Sequence, residues 1–365
     1  IRDPLWSRGL GDVYKRQLQG NVFDELISEG HRPIPSQWVE TRKGEGEFKS
    51  RLVACGQLEA HKKEIRSDAP TCSLEAFNLI VSFAACNKLK LKCADLSNAY
   101  FQGEKMDRLL LLRPPRGGLP GEEGDDYMLA ANVPIYGTGD AGRRFYNGFR
   151  REAIAAGFRE SRFARSCYVY AIDGDIKVLM GAHVDDDLWA AKPGYEHIMD
   201  GLLGKFEVKE IHEGKFKLCG RECEQYLDCS AYVFCNENTE SILPINFSRA
   251  GRTPESRATE GEVSQLRSVN GSLQWIARQC RMDLCYRCSK LQSVAPTAQV
   301  KHLESCNQLL KEAKETAGQG ILYKAGAFDF QKALMISISD ASWANDEKII
   351  DDKVFPRRSQ YGRIT

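Results

Sequence analysis

Three things are scarce in this chain. Apolar residues never run long enough to cross a bilayer. The longest stretch, near residues 77–85, falls well short of the ~20 residues that a spanning helix needs. Net charge is also scarce: 51 Lys and Arg against 50 Asp and Glu leave +1, so any contact with a polyanion has to come from local patches. The N-terminus has no basic segment followed by an apolar core, so no signal peptide is visible. Cysteine is not scarce, but its thirteen copies are odd in number and scattered. That argues against a secreted disulfide framework and for a reducing setting.

What is present reads as globular, with 28% charged and 42% hydrophobic residues. A length of 365 residues predicts two or three domains or one multi-lobed enzyme. Residues 1–17 resemble translated adapter sequence and are set aside from fold reasoning. The chain is expected to be a fragment of a longer reading frame, ending inside a strand.

Residues 73–88 carry Leu74, Phe77, Ile80, Val81 and Ala84 at helical spacing, with Ser73 placed to cap and Glu75 in the first turn. A strand over 89–94 follows, ending at Asp95. Residues 114–126 are rich in Pro and Gly and predict a loop. Helices are expected over 143–156 and 197–206. Strands over 167–172 and 176–184 flank Asp173-Gly174, a strong hairpin signal. Two or three amphipathic helices are predicted between 260 and 315, broken at Pro296. A last strand, 333–339, is predicted to end in Asp340. No internal repeat is apparent.

The most informative motif is His183-Val184-Asp185-Asp186-Asp187, between two strand-like runs. Adjacent carboxylates at a hairpin tip repel one another unless a cation lies between them. The motif alone also fits a solvated acidic turn, because Asp is a common turn residue. Asp95 lies at another strand end about 90 residues earlier, and the two sites can meet on one sheet edge. Three carboxylates there would suit two magnesium ions ~4 Å apart, the arrangement that nucleotidyl transfer requires. Hard oxygen ligands without histidine favour magnesium over zinc.

Asp95-x3-Ala99-Tyr100-Phe101 and Val184-Asp185-Asp186 resemble motifs A and C of reverse transcriptases, and the wider pattern resembles the Copia-type retrotransposon polymerase. Gln37-Trp38-Val39, the run from Lys49 to Gly56, Ile135-Tyr136-Gly137 and Arg143-Arg144-Phe145-Tyr146 match its blocks in order. Gly271-Ser272-Leu273-Gln274-Trp275 and Arg281-Met282-Asp283-Leu284 resemble its connecting region. Ser339-Asp340-Ala341-Ser342-Trp343-Ala344 resembles the opening strand of its ribonuclease H domain. The match covers residues 18–365.

The resemblance implies an α+β right-hand polymerase. Its fingers and palm would span 18–221, a helical thumb or connection 222–325, and a truncated ribonuclease H-like start 326–365. It implies Asp95, Asp185 and Asp186 as the catalytic carboxylates holding two Mg2+ ions. Tyr100 would be the steric gate against the sugar, Arg51 and Lys43 triphosphate contacts, and Gly137 part of the loop under the incoming base pair. Phe216, Leu218 and Gly220 would form the primer grip. The implied partners are an RNA template, a DNA primer, dNTPs and other parts of a Pol polyprotein, with no membrane, in cytoplasmic virus-like particles. Arg143, Arg144, Arg150 and Arg151 are candidate phosphate contacts or a solvated helix face.

The chain departs from the family at three places. His183 replaces an aromatic. Asp187 replaces an apolar residue, and strand alternation lets it point away into solvent. Asp140 replaces a glutamine and puts an anion near the triphosphate. These departures leave a catalytically decayed nucleic-acid-binding remnant as the alternative. Asp340 is the only recognisable ribonuclease H carboxylate, so no ribonuclease H activity is expected. Cys285-x2-Cys288-x13-His302-x3-Cys306 has zinc-like spacing, but small buried residues on packed helices explain it equally, and the resemblance places no zinc there.

Overall fold

The computed structural model describes residues 14–18, 21–43, 47–60, 62–119, 127–329, 332, 338–350 and 353–364, with side chains for 25–42, 50–60, 62–119, 127–329 and 332. The Asp173-Gly174 signal holds: the two residues take φ of +51° and +80°, the type I′ geometry that matches strand twist. They join β8 (Cys167–Ile172) to β9 (Asp175–His183). With β4 (Leu91–Leu96), β7 (Arg159–Glu160), β10 (Asp186–Ala191) and β11 (Val208–Glu213), these strands form a six-stranded sheet of order β11-β4-β10-β9-β8-β7, antiparallel throughout.

Both faces of this sheet are covered. Helix α2 (Leu74–Cys86) packs on one face, and Ser73 caps it as expected, its Oγ accepting from the Ala76 amide at 3.2 Å. Phe77, Ile80 and Phe83 of α2 meet Leu91, Cys93, Leu179 and Leu188 of the sheet. Full burial of such side chains stabilises by about 1.5–3 kcal/mol each. Helices α3 (Ala141–Ala155) and α4 (Glu196–Leu203) cover the other face, where Phe145, Phe149 and Leu202 meet Ala94, Met180 and Trp189.

The N-terminal part contains β1 (Tyr14–Leu18), α1 (Asn21–Ser28), β2 (Ile34–Lys43), β3 (Glu47–Ala54), β5 (Leu110–Arg113) and β6 (Met128–Ala131), in a sheet of order β1-β6-β5-β2-β3. A third sheet, β12 (Lys215–Leu218), β13 (Arg221–Gln225), β14 (Ala231–Phe234) and β15 (Gly320–Tyr323), shares the α2 core through Phe216, Leu218 and Val233. The expected division after residue 221 falls at the first residue of β13.

Between β14 and β15 run α5 (Asn236–Ser241), α6 (Glu260–Gln279), α7 (Cys285–Val294) and α8 (Val300–Glu315). Thr259 and Glu262 form a capping box at the start of α6, and the expected break at Pro296 is a 3-10 turn over Ala295–Thr297. The α+β class is therefore as expected. A final hairpin pairs β16 (Ile338–Ile350) with β17 (Lys353–Ile364). Of the strand expected over 333–339, residues 333–337 lie outside the described ones. Asp340 lies within β16 opposite Gly362 rather than at a strand end, and its side chain is outside the described part.

Candidate active site

Strand β9 ends at His183 and β10 begins at Asp186, so Val184 and Asp185 form a two-residue turn. Val184 has φ of +58°, a region that β-branched residues avoid, at the turn position that usually takes glycine. Such a conformation costs about 1–3 kcal/mol. It is held by the Leu96 amide, which donates to the Asp185 carbonyl at 2.7 Å, and by packing of Val184 against the α3 side of the sheet. Asp186 sits directly opposite Asp95 of β4 in the strand register. The structure thus brings all three expected carboxylates to one end of one sheet.

Burial pushes the Asp186 carboxyl up to about 7, and the charges of Asp185 and Asp95 push the same way. Lys209 of β11 opposes them; its ammonium donates to Asp95 Oδ2, and Asp95 in turn raises the pKa of Lys209. Among the described residues no three His, Cys, Asp or Glu side chains form a ready-made metal cage. The carboxylates nevertheless fit a divalent cation. Burial and then the neighbouring charges make an uncompensated Asp186 carboxylate unfavourable, the donors are all oxygen, and a side-chain cation already sits on Asp95.

On the neighbouring side, Tyr100 lies in the 3-10 turn Ala99–Gln102, half-buried and within the field of Asp185, which helps to raise its pKa. Its ring meets Tyr136 edge-on at 5.0 Å, and the Arg51 guanidinium lies 5.5 Å from the Tyr136 ring centre. Arg51 therefore reaches the site through Tyr136, with its buried Nε lacking a hydrogen-bond partner among the described residues. Gly137 is required where it stands: φ is +90°, and a Cβ would lie 2.0 Å from the Ala54 carbonyl oxygen. That close approach, with the Ala54 amide donating to the Tyr136 carbonyl at 2.8 Å, fastens β3 to the loop before α3.

Several expectations need correction. Asp187 does point away from the other two aspartates, but not into solvent. It is fully buried, and neither carboxylate oxygen has a hydrogen-bond partner among the described residues. Burial pushes its pKa well above the usual range, helped by Asp186 and Asp185. Asp140 is not a free anion beside a triphosphate site. It is buried, accepting from Arg108 at 2.5 and 3.0 Å and from Arg144 at 2.5 Å, and these arginines hold its pKa down against burial. The hairpin that carries Phe216, Leu218 and Gly220 exists, with Cys219 and Gly220 both at positive φ. Phe216 and Leu218, however, face the α2 core, so Lys215 and Lys217 form its solvent side. Gly220 lies against Trp275.

Lys43 ends β2 and its side chain is outside the described part. Arg143, Arg144, Arg150 and Arg151 each already have a carboxylate partner. In the zinc-like motif, Cys288 and Cys306 are buried in the helical core, Cys285 is exposed, and His302 Nδ1 accepts from the Gln299 amide at 3.0 Å. Lys209 and Arg108 carry no local sequence signal. Contacts between segments far apart in the chain bring Lys209 to Asp95 and Arg108 to Asp140.

An antiparallel sheet that presents paired carboxylates at a hairpin tip, beside an arginine-bearing strand, has the arrangement of a polymerase palm. Residues 22–236 match the family described as reverse transcriptase (RNA-dependent DNA polymerase), and the chain belongs to that family. It is 24% identical over 372 residues to the retrovirus-related Pol polyprotein from transposon RE2 of Arabidopsis thaliana, covering 95% of this chain and 25% of that protein. The corresponding protein from transposon RE1 of the same plant is 24% identical over 374 residues, covering 95% and 24%. The Copia-type resemblance is thereby borne out, and the chain spans about a quarter of the length of these relatives. The foamy viral protease-reverse transcriptase in complex with RNA/DNA hybrid superposes at a TM-score of 0.43 with 13% identity, over 84% of this chain and 39% of that one.

Proposed function

We propose that the chain is the RNA-directed DNA polymerase portion of a Copia-type retrotransposon Pol polyprotein. The observation that carries this reading is the placement of Asp186 opposite Asp95 with Asp185 on the adjoining turn, where burial and then the two neighbouring charges push Asp186 up to about 7. Asp95, Asp185 and Asp186 would hold two Mg2+ ions, which when bound supply an acidified primer 3′-hydroxyl and neutralise charge on the α-phosphate and its leaving group. Lys209 has to release Asp95 for this. Its ammonium then lies beside the site, free to meet phosphate charge.

Tyr100 would stand against the sugar of an incoming dNTP. Arg51, steadied on Tyr136, would aim its fork at triphosphate oxygens. Lys43 is proposed as a further triphosphate contact, and Gly137 would lie under the new base pair. Gly220, with the solvent face of its hairpin, is the proposed primer contact, while Phe216 and Leu218 support that hairpin from below. In this reading residues 18–221 are fingers and palm, 222–325 thumb or connection, and 326–365 the start of a ribonuclease H-like unit. Cytoplasmic virus-like particles are the proposed setting.

The test is primer extension on an RNA template with magnesium, beside Asp185→Asn and Asp186→Asn. The wild-type chain should extend the primer, and each variant should lose activity by several orders of magnitude. A folded wild-type chain that never extends refutes the active-enzyme reading. It would favour a decayed nucleic-acid-binding remnant, to which the unpartnered Asp187 already points.

A further inference from the structure

The turn from β7 into β8 carries Ser161-Arg162-Phe163-Ala164-Arg165, and Phe163 is 101% exposed. The loop around it is well fixed. Ser161 Oγ accepts from the amides of Phe163 and Ala164, both at 3.2 Å, and Ser166 Oγ donates to the Pro70 carbonyl at 2.8 Å. A large aromatic ring is thus held out in water by an ordered backbone.

Beside it lies a groove of about 680 Å³ lined by five arginines, 143, 150, 159, 162 and 165, and a single carboxylate, Glu160. Glu160 is already neutralised from within, by the Tyr146 hydroxyl and Arg150 Nε, each at 2.7 Å, and by the Ser166 amide at 3.0 Å. Arg143 is bound to Asp68 at 2.7 Å, and Arg165 leans on the Tyr146 ring. Arg159 and Arg162 have no side-chain partner among the described residues, so the groove presents uncompensated positive charge.

Its position matters as much as its charge. Cys167 pairs with Gly181 next to the loop, and the Ala182 amide donates to the Ser166 carbonyl at 2.9 Å. The loop therefore stands at the aspartate end of the sheet, two strands across from Asp186 and on the side away from Lys209.

We propose that this edge is a docking surface for single-stranded nucleic acid, in which Phe163 stacks on an unpaired base and the arginines hold the flanking phosphates. Guanidinium forks match phosphate oxygens, and an exposed ring offers a stacking platform that accepts any base. An acidic peptide would satisfy the charge but has no base to cover Phe163, and a duplex keeps its bases stacked on one another. That the bound strand is the template rests on the polymerase reading above; the binding itself does not.

The test uses the full chain without nucleotides and measures anisotropy of a labelled single-stranded RNA of about 12 nucleotides. Phe163→Ala should weaken binding about fivefold or more and leave binding of a blunt duplex unchanged. Arg159→Ala with Arg162→Ala should flatten the dependence of log affinity on log salt by about 1.4. Phe163→Trp should retain affinity and give indole fluorescence that the single strand quenches. Single-strand affinity within twofold of wild type for Phe163→Ala, or displacement of the RNA by polyglutamate of equal charge at equal concentration, overturns the proposal. Primer extension is read separately. If the wild type binds single strands in this way yet never extends, the polymerase reading falls and the docking surface stands.

Discussion

A carboxyl group taken out of water must find hydrogen bonds or give up its charge. Asp187 has found none among the described residues, so burial favours its neutral form in the folded chain, while it ionises freely in the unfolded one. Because its folded pKa is the higher, its contribution to stability is present below the unfolded value near 4 and is lost as pH rises. Asp186, raised to about 7, acts in the same direction. Asp187→Leu should therefore raise the thermal midpoint, by about 1–3 kcal/mol of stability, and flatten the decline that sets in as pH rises above about 4. Asp187→Asn, which leaves a polar group unpaired, should gain less. Melting curves across that range check both. The burial of Asp187 was only half legible in the sequence. Strand alternation predicts that it turns from its neighbours, but nothing local says that α3 and α4 cover the face it turns toward. The three aspartates of the proposed site were legible because each sits at or beside a strand end next to an apolar run. Lys209 was not, because its value lies in a partner more than a hundred residues away.

Among the elements, the start of α3 is set by charge. Arg108 bridges Glu59 and Asp140, and Arg144 binds Asp140 one helical turn on. Removing the anion leaves two largely buried guanidinium groups facing one another. Asp140→Ala should therefore cost about 3 kcal/mol, measured by urea unfolding. Asp140 has a depressed pKa, so its contribution is present above about pH 4 and is lost as pH falls through the lower folded value. The acid limb should be shallower in Asp140→Ala, where other depressed carboxylates such as Asp175 and Glu262 still contribute, and unchanged in Asp187→Leu, which separates the two carboxylates by sign. At the β9–β10 turn, Val184→Gly should relieve the positive-φ strain but lose apolar packing, so its net effect on stability should stay within about 1 kcal/mol. The larger effect should fall on the placement of Asp185, read as a lower primer-extension rate. Helix α2 and the Asp173-Gly174 hairpin were fully legible, because period, cap and turn residues are local signals. The side on which the Phe216 hairpin packs was not, since two lysines and two apolar residues alternate there and only the position of α2 decides which pair is inside.

For the molecule as a whole, the crowded carboxylates link folding to divalent cations. A cation that binds them only in the folded state should raise the melting temperature with concentration. A proton on Asp186 competes with it, so magnesium should stabilise more at pH 8 than at pH 6. Asp186→Asn should abolish most of that difference, as scanning calorimetry with and without magnesium would show. The order of blocks along the chain made the fold class legible from the sequence. The junction between its parts was not legible, because it is drawn by strand pairing and not by composition.

That junction has a consequence for how the chain is assembled. Phe234 and Gly320 are directly paired neighbours in one sheet, so everything from Cys235 to Gln319 departs and returns across a single strand spacing of about 4.8 Å. Topologically the helical part is a cassette inserted into a hairpin. Its ends already stand where a two-residue turn would put them, so excising it and rejoining β14 to β15 demands no movement of the sheet. A chain simply stopped before it would lose β15, and with it the hydrogen bond from Tyr323 to Asn78 of α2. The third sheet is therefore discontinuous in sequence.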